Sequence, residues 1–208
     1  MIISFIGMSN VGKSTWSTKL EKLKGFKKYC CDDLIESYLS PELKALGYAG
    51  INDLSRWLGQ PYDRRYKKNS QKFLELEAKS LKDSFERIDS LTSEIDVVLD
   101  TTGSVIYLFE EILKTLAGRT KIIYLEAPIG MMELMIKNYI ANPKPVIWGD
   151  LYRPLAGENK AETLKRCYPE LLKYRTGLYE KLGAIKLDDF TRTKKDFTLE
   201  NLLELVNG

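Results

Sequence analysis

The chain has 208 residues, 44% of them hydrophobic, and a formal net charge of +3. That is enough for one sizeable core, and Lys and Arg are spread along the chain, so no dedicated nucleic-acid footprint is demanded; the run DRRYKK at 63–68 reads as a solvated helix face. Histidine is absent, which excludes every histidine-based general base, triad or metal site and leaves carboxylates, Lys, Arg and Mg²⁺ to carry any chemistry.

In chain order, IISFI at 2–6 is a short apolar, β-prone run. It opens the chain without a basic n-region or cleavage site, and no apolar run reaches the length of a membrane span, so a cytoplasmic protein is expected. The next stretch, GMSNVGKST, fills the pattern G-x-x-x-x-G-K-[S/T] with Gly7, Gly12, Lys13 and Ser14. The two glycines allow a backbone path whose N–H groups turn inward, so that Gly7, Met8, Ser9, Asn10, Val11, Gly12, Lys13, Ser14 and Thr15 form a cradle for phosphate oxygens. Lys13 brings a point charge to the β and γ phosphates, and the Ser14 hydroxyl offers a ligand for Mg²⁺. A helix predicted over 13–23 adds its N-terminal dipole.

A second strand is predicted at 26–31, FKKYCC, followed by a helix that begins DDLIESYL. Asp32 and Asp33 stand at that strand's end, where one of them could orient an acceptor hydroxyl or simply cap the helix. Cys30, Cys31 and Cys167 match no metal or disulfide framework and read as reduced thiols. Residues 51–59 read as a helix, GQP as a turn, and 62–90 as a long charged helix with Phe73, Leu74, Leu76 and Leu81 on its buried side. Trp57, Tyr62 and Trp148, with Arg64 and Arg65, either line a recognition pocket for a flat acceptor or belong to core packing and surface charge.

Further strands are predicted at 95–100, 121–126 and 184–188, separated by helical segments. This alternation implies a parallel sheet with helices on both faces. Asp100 ends an apolar strand, as a solvated terminus or as a Walker-B type carboxylate holding Mg²⁺. The Pro- and Gly-containing span 141–159, ANPKPVIWGDLYRPLAGEN, is too irregular for a helix and is expected to act as a lid that excludes water.

A timed GTPase switch shares some of these features, because VVLDTTG holds D-x-x-G and the loop spells Asn-Val-Gly-Lys-Ser. As a guanine-reading N/T-K-x-D motif, however, Asn159-Lys160-Ala161-Glu162 ends in the wrong acid. The span from Ser14 to Asp100 is also long for a minimal GTPase.

Taken in order along nearly the whole chain, these residues resemble shikimate kinase and its relatives among the P-loop small-molecule kinases. The resemblance rests on GMSNVGKST with the downstream D-x-x-I-E of Asp32, Ile35 and Glu36. It rests equally on RPLAG at 153–157, followed by KYRTGLYEKLGAIKLD at 173–188. It implies a three-layer α/β sandwich of the P-loop NTPase class, one domain over 1–208, with about five parallel strands, a mobile lid and an acceptor-binding helical region at 33–90. It also implies ATP and Mg²⁺ as cofactors and a small hydroxylated molecule as partner.

By the same resemblance Lys13 and Ser14 contact phosphate and Mg²⁺, and Asp32 faces the acceptor hydroxyl. Arg153 closes on the transferring phosphate, Arg175 grips an acceptor carboxylate, and Arg192 lies near the adenine. Departures cluster on the acceptor side. Cys30 replaces an aspartate, a poor exchange for a hard cation that Asp100 could make good. Thr101, Thr102 and Gly103 replace a substrate-binding glycine triplet, and Leu74 replaces a second carboxylate-gripping arginine. The expected activity is therefore phosphorylation of a hydroxyl on a metabolite other than shikimate. An ATP-binding module without transfer chemistry is the remaining alternative to the switch.

Overall fold

The computed structural model describes residues 1–128, 130, 132–141, 144–182 and 185–208. Five strands form one parallel sheet in the order β2-β3-β1-β4-β5: β1 Ile2–Ile6, β2 Lys27–Cys30, β3 Val97–Asp100, β4 Lys121–Leu125 and β5 Ile185–Leu187. Helices α1 Lys13–Lys24, α2 Cys31–Ala45, α3 Gly50–Leu58, α4 Tyr66–Asp89, α5 Glu110–Arg119, α6 Met132–Ala141 and α7 Lys160–Lys181 connect them, with α8 Asp189–Arg192 and α9 Leu199–Asn207 after the last strand. This is the predicted α/β architecture. β1 lies at the centre, and Ile3, Phe5 and Ile6 are fully buried, which is why it reads as an unbroken apolar run rather than an alternating one.

Register fixes what meets at the carboxyl edge of the sheet. Asp100 is level with Phe5 on one side and Cys30 on the other, so the loop after β1, the start of α2 and the segment after β3 converge. The chain leaves β1 toward β2 and later crosses to β4 on the opposite side. Such a switch point opens a crevice beyond the strand ends, where α/β proteins bind ligands.

The long charged helix begins at Tyr66, four residues later than expected; Phe73 and Leu81 are buried, while Leu74 and Leu76 are half-buried against the core. Trp57 and Trp148 are core residues: Trp57 Nε1 donates to Glu42 at 2.8 Å, and Trp148 packs against Tyr139, Tyr152 and Tyr168. Tyr62 is half-buried beneath Lys160. Arg64 and Arg65 are exposed. None of these residues forms the flat recognition pocket considered above.

The span 141–159 divides in two. Asn142 and Pro143 lie outside the described residues, as does Ala184 of the expected last strand. Val146, Ile147 and Trp148 are buried, and the Tyr66 hydroxyl clamps them, donating to Val146 O at 3.0 Å and accepting from Trp148 N–H at 2.7 Å. Residues 153–157 are exposed. Asn159 then starts α7 with a capping box: its side chain accepts from the N–H groups of Ala161 and Glu162, and Glu162 accepts from its backbone N–H at 2.8 Å. The Asn-Lys-Ala-Glu string is a helix start. Among the described residues no helix is long and apolar enough to cross a membrane.

Candidate active site

The loop after β1 takes the shape its glycines permit. Gly7 has φ of 140°, and a Cβ there would stand 2.5 Å from the Leu125 carbonyl oxygen, so only glycine lets the loop lie against the end of β4. Lys13 is buried and folds back over the loop, donating to Gly7 O at 2.9 Å and Met8 O at 3.0 Å. Burial pushes its ammonium below the ordinary lysine range, and the nearby Asp100 and Asp32 oppose that shift. Ser14 and Thr15 are exposed at the start of α1. Two cavities meet at this loop. The larger, about 660 Å³, is bounded by Val11, Gly12, Thr15, Trp16 and Arg192, and the smaller, about 180 Å³, by Lys13, Ser14, Asp32, Phe73 and residues 102–104. Ser9, Asn10 and Lys144 line both.

The acidic side is resolved by position. Cys30 is the N-cap of α2, so Asp32 is not its cap. Asp32 faces the smaller cavity, whereas Asp33 is exposed. Burial pushes the Asp32 carboxyl up to about 6, against the pull of Lys13. Asp100 is buried and accepts from the Ser17 hydroxyl at 3.2 Å, with Lys28 Nζ at 4.0 Å. The Cys30 thiol is pushed up to about 12 by burial, and its soft sulfur is a poor ligand for a hard cation. Ser14 and the Asp100 carboxylate thus offer oxygen donors only. Such a set suits magnesium, which takes few protein ligands and completes its shell with phosphate and water. Among the described residues no ready-made cage of three or more acidic or thiol ligands occurs.

The segment after β3 is the floor of the smaller cavity. Thr101 is turned away from it: its hydroxyl donates to Phe5 O at 2.7 Å, stitching β3 to β1, so it does not face an acceptor as expected. Thr102 and Gly103 do line the cavity. Behind them stands Glu77, which sequence reasoning missed. It is fully buried on α4 and accepts from the hydroxyls of Thr102 and Ser104. Burial carries its carboxyl up to about 7, with those two hydroxyls and Arg175 opposing. The available signal was an acid on the apolar stripe of a helix, four residues from both Phe73 and Leu81.

Arg175 is also displaced from its expected task. It is buried, and its Nη2 and the Tyr179 hydroxyl both donate to Gly103 O, while Nε has no partner. Rather than lining the cavity, it holds the floor from behind. Arg153 is exposed, its Nε donating to Asp150 O at 2.8 Å, and it lines neither cavity; Arg166 on α7 holds its carbonyl at 2.5 Å. Lys144 occupies the junction instead. Arg192 does border the larger cavity, where its guanidinium also ties the β4 and β5 ends together through Glu126 O at 2.6 Å and Leu187 O at 3.3 Å.

No family model and no curated protein matches the chain. Solved structures do. It is similar to the shikimate kinase of Acinetobacter baumannii in complex with shikimate, at 20% identity over 99% of this chain and 92% of that one, with a TM-score of 0.59. The shikimate kinase of Aquifex aeolicus is 20% identical over 100% and 97% of the two chains, with a TM-score of 0.57. That of Bacteroides thetaiotaomicron is 15% identical over 100% and 99%, with a TM-score of 0.60. At these identities the likeness is one of architecture: the chain has the P-loop kinase fold of the shikimate kinases along its whole length.

Proposed function

We propose that the chain is an ATP-dependent kinase that moves the γ-phosphoryl group of MgATP to a hydroxyl of a small metabolite. The observation that carries this reading is the pair of cavities meeting at one phosphate-binding loop. The larger one is of nucleotide size, and the smaller one is lined by both the Asp32 carboxylate and Lys13, which act on one another electrostatically. We read the chain as one domain over 1–208, with acceptor-side helices at 33–90 and a cover within 141–159. A cytoplasmic setting suits its three free thiols.

In this reading the acceptor oxygen bonds to the γ-phosphorus while the bond to the bridging oxygen breaks, and ADP leaves with that electron pair. The acceptor's proton passes to Asp32. Burial poises that carboxylate near 6, so it is ionised at neutral pH yet basic enough to take a proton. Lys13 exchanges its bonds to Gly7 O and Met8 O for phosphate oxygens, and Lys144 approaches from the cavity junction. Ser14 and Asp100 are the residues that would hold magnesium, which would neutralise charge on the phosphates when bound. Asn159–Glu162 is employed as the α7 cap, but Thr193-Lys194-Lys195-Asp196 also spells N/T-K-x-D and Thr193 lines the larger cavity, so the comparison of GTP with ATP decides between the kinase and the switch.

The test is nucleotide calorimetry with acceptor-stimulated ADP release over a metabolite panel. ATP should bind, Lys13→Ala should abolish that binding, and at least one hydroxylated acceptor should stimulate release. Preference for GTP over ATP, or ATP binding with no stimulation by any acceptor, overturns the proposal.

A further inference from the structure

The hydroxyl protons on the acceptor floor are already committed. Ser104 Oγ donates to Glu77 Oε2 at 2.5 Å, and Thr102 Oγ1 donates to Oε1. Glu77 is fully buried, so no bulk water competes for its oxygens. The two hydroxyl oxygens stand 2.9 Å apart, and Thr102 Oγ1 also accepts from Ser104 N–H at 3.1 Å. With both protons turned toward the carboxylate, Thr102 and Ser104 have only lone pairs left to offer the cavity. While Glu77 is ionised, such a floor can accept hydrogen bonds from a bound molecule but cannot donate to one.

Charge points the same way. Asp32 lines the same cavity, so a second carboxylate brought in by the acceptor would meet an anion. The two lysines that line this cavity are shared with the nucleotide side: Lys13 is bonded to the loop after β1, and Lys144 also lines the larger cavity. Position 74, where the resemblance calls for an arginine, is a leucine packed against the core. Arg175 is engaged by Gly103 O and does not line the cavity. Among the described residues no guanidinium lines the smaller cavity to meet an acceptor carboxylate.

From this arrangement we infer that the acceptor is a small, uncharged or cationic molecule carrying hydrogen-bond donors beside its reacting hydroxyl, namely a polyol, a small sugar or an amino alcohol, and not a hydroxy acid. The inference rests on the kinase reading of this cavity and names its substrate class. The volume of about 180 Å³ is below the usual range for drug-sized ligands and limits the acceptor to roughly one small ring.

The test compares matched pairs with the intact protein and MgATP at about pH 8, where Glu77 is ionised: glycerol with glycerate, ribitol with ribonate, ethanolamine with glycolate, and a cyclohexane polyol with shikimate. The neutral or amino member should have a kcat/KM at least ~10-fold above its acid partner. An acid member used equally well or better overturns the inference. Ser104→Ala removes the lone pairs with little change in volume and should raise KM for the preferred acceptor ~10-fold while kcat stays within ~3-fold. Glu77→Gln presents an amide N–H that turns one hydroxyl round, and should narrow the preference for the neutral member several-fold. Selectivity unmoved by both substitutions also overturns it.

Should no compound be phosphorylated, binding of the same pairs is measured with Mg²⁺ and a non-hydrolysable ATP analogue. Tighter binding of the neutral members upholds the acceptor class and rejects the kinase reading. Tighter binding of the acids, or no binding of either at about 10 mM, rejects the class.

Discussion

Replacing Glu77 by Gln keeps the side chain's size and removes its titration, which turns the buried carboxylate into a measurable quantity. Burial is the largest influence on it and carries its carboxyl from an ordinary 4.5 to about 7. At about 1.4 kcal/mol for each pH unit, this amounts to about 3 kcal/mol. Its sign follows from proton occupancy. Between 4.5 and 7 the folded protein holds a proton on Glu77 that the unfolded chain has released. Glu77 therefore contributes its full stability below 4.5 and loses it as the pH rises through 7. Glutamine has no such dependence. The stability of Glu77→Gln relative to the parent should accordingly improve by about 3 kcal/mol between pH 4.5 and pH 8, or roughly 6–12 °C in Tm for a chain of this size. Urea melts of both proteins across that range give the difference directly, and titrations common to both cancel. A flat difference, or one in which the parent gains as pH rises, would show that the carboxylate is not held in a low-dielectric site and would refute the reasoning.

Three other substitutions test neighbouring parts of the site. Because Asp32 is poised at about 6, kcat/KM should fall as the pH drops through about 6; Asp32→Asn should lower kcat by about 10²-fold or more and remove that limb of the profile. A methyl group at Gly103 would stand 3.0 Å from Arg175 Nη2 and 3.4 Å from both Gly7 O and Ser9 N. Gly103→Ala should therefore cost about 1–3 kcal/mol in urea melts and raise KM for the acceptor. Since Lys144 lines both cavities and Arg153 neither, single-turnover rates should fall more for Lys144→Ala than for Arg153→Ala; the opposite ranking would return the covering cation to position 153.

The strand, loop and helix at the start of the chain were legible because their determinants are local. They occupy fourteen consecutive positions, 2–15, and backbone conformation alone decides where their N–H groups point. The parallel order of the strands followed from their alternation with helices. The acceptor side was less legible because its contacts span the chain. Glu77 meets residues 25 and 27 positions away, and nothing local says which helix face will lie against the end of β3. Arg175 shows the same limit in another form: its residue type suggested a grip on an anion, but direction is a tertiary property, and its guanidinium turns to a carbonyl. Trp148 sits in a stretch with the composition of a free loop, yet Tyr66, 82 residues away, anchors it in the core.

These long-range contacts explain how one fold can hold its phosphate chemistry constant while the acceptor changes. Gly103 is held against the phosphate loop on one side, near Gly7 O and Ser9 N, and its carbonyl is held by Arg175 and Tyr179 on the other. The backbone at the floor of the smaller cavity thus lies against the loop after β1 and is tied to α7. Side chains at 102, 104 and 77 are free of that constraint, because they bond to one another rather than to the loop. Exchanging them alters the hydrogen-bond polarity of the floor without moving the distance between acceptor oxygen and phosphate. A bare-backbone floor flanked by arginines suits an anionic ring, while a lone-pair floor backed by a buried carboxylate suits a molecule rich in donors. On the proposed kinase reading, Thr102, Leu74 and Glu77 belong to a different acceptor selectivity built beside the same loop.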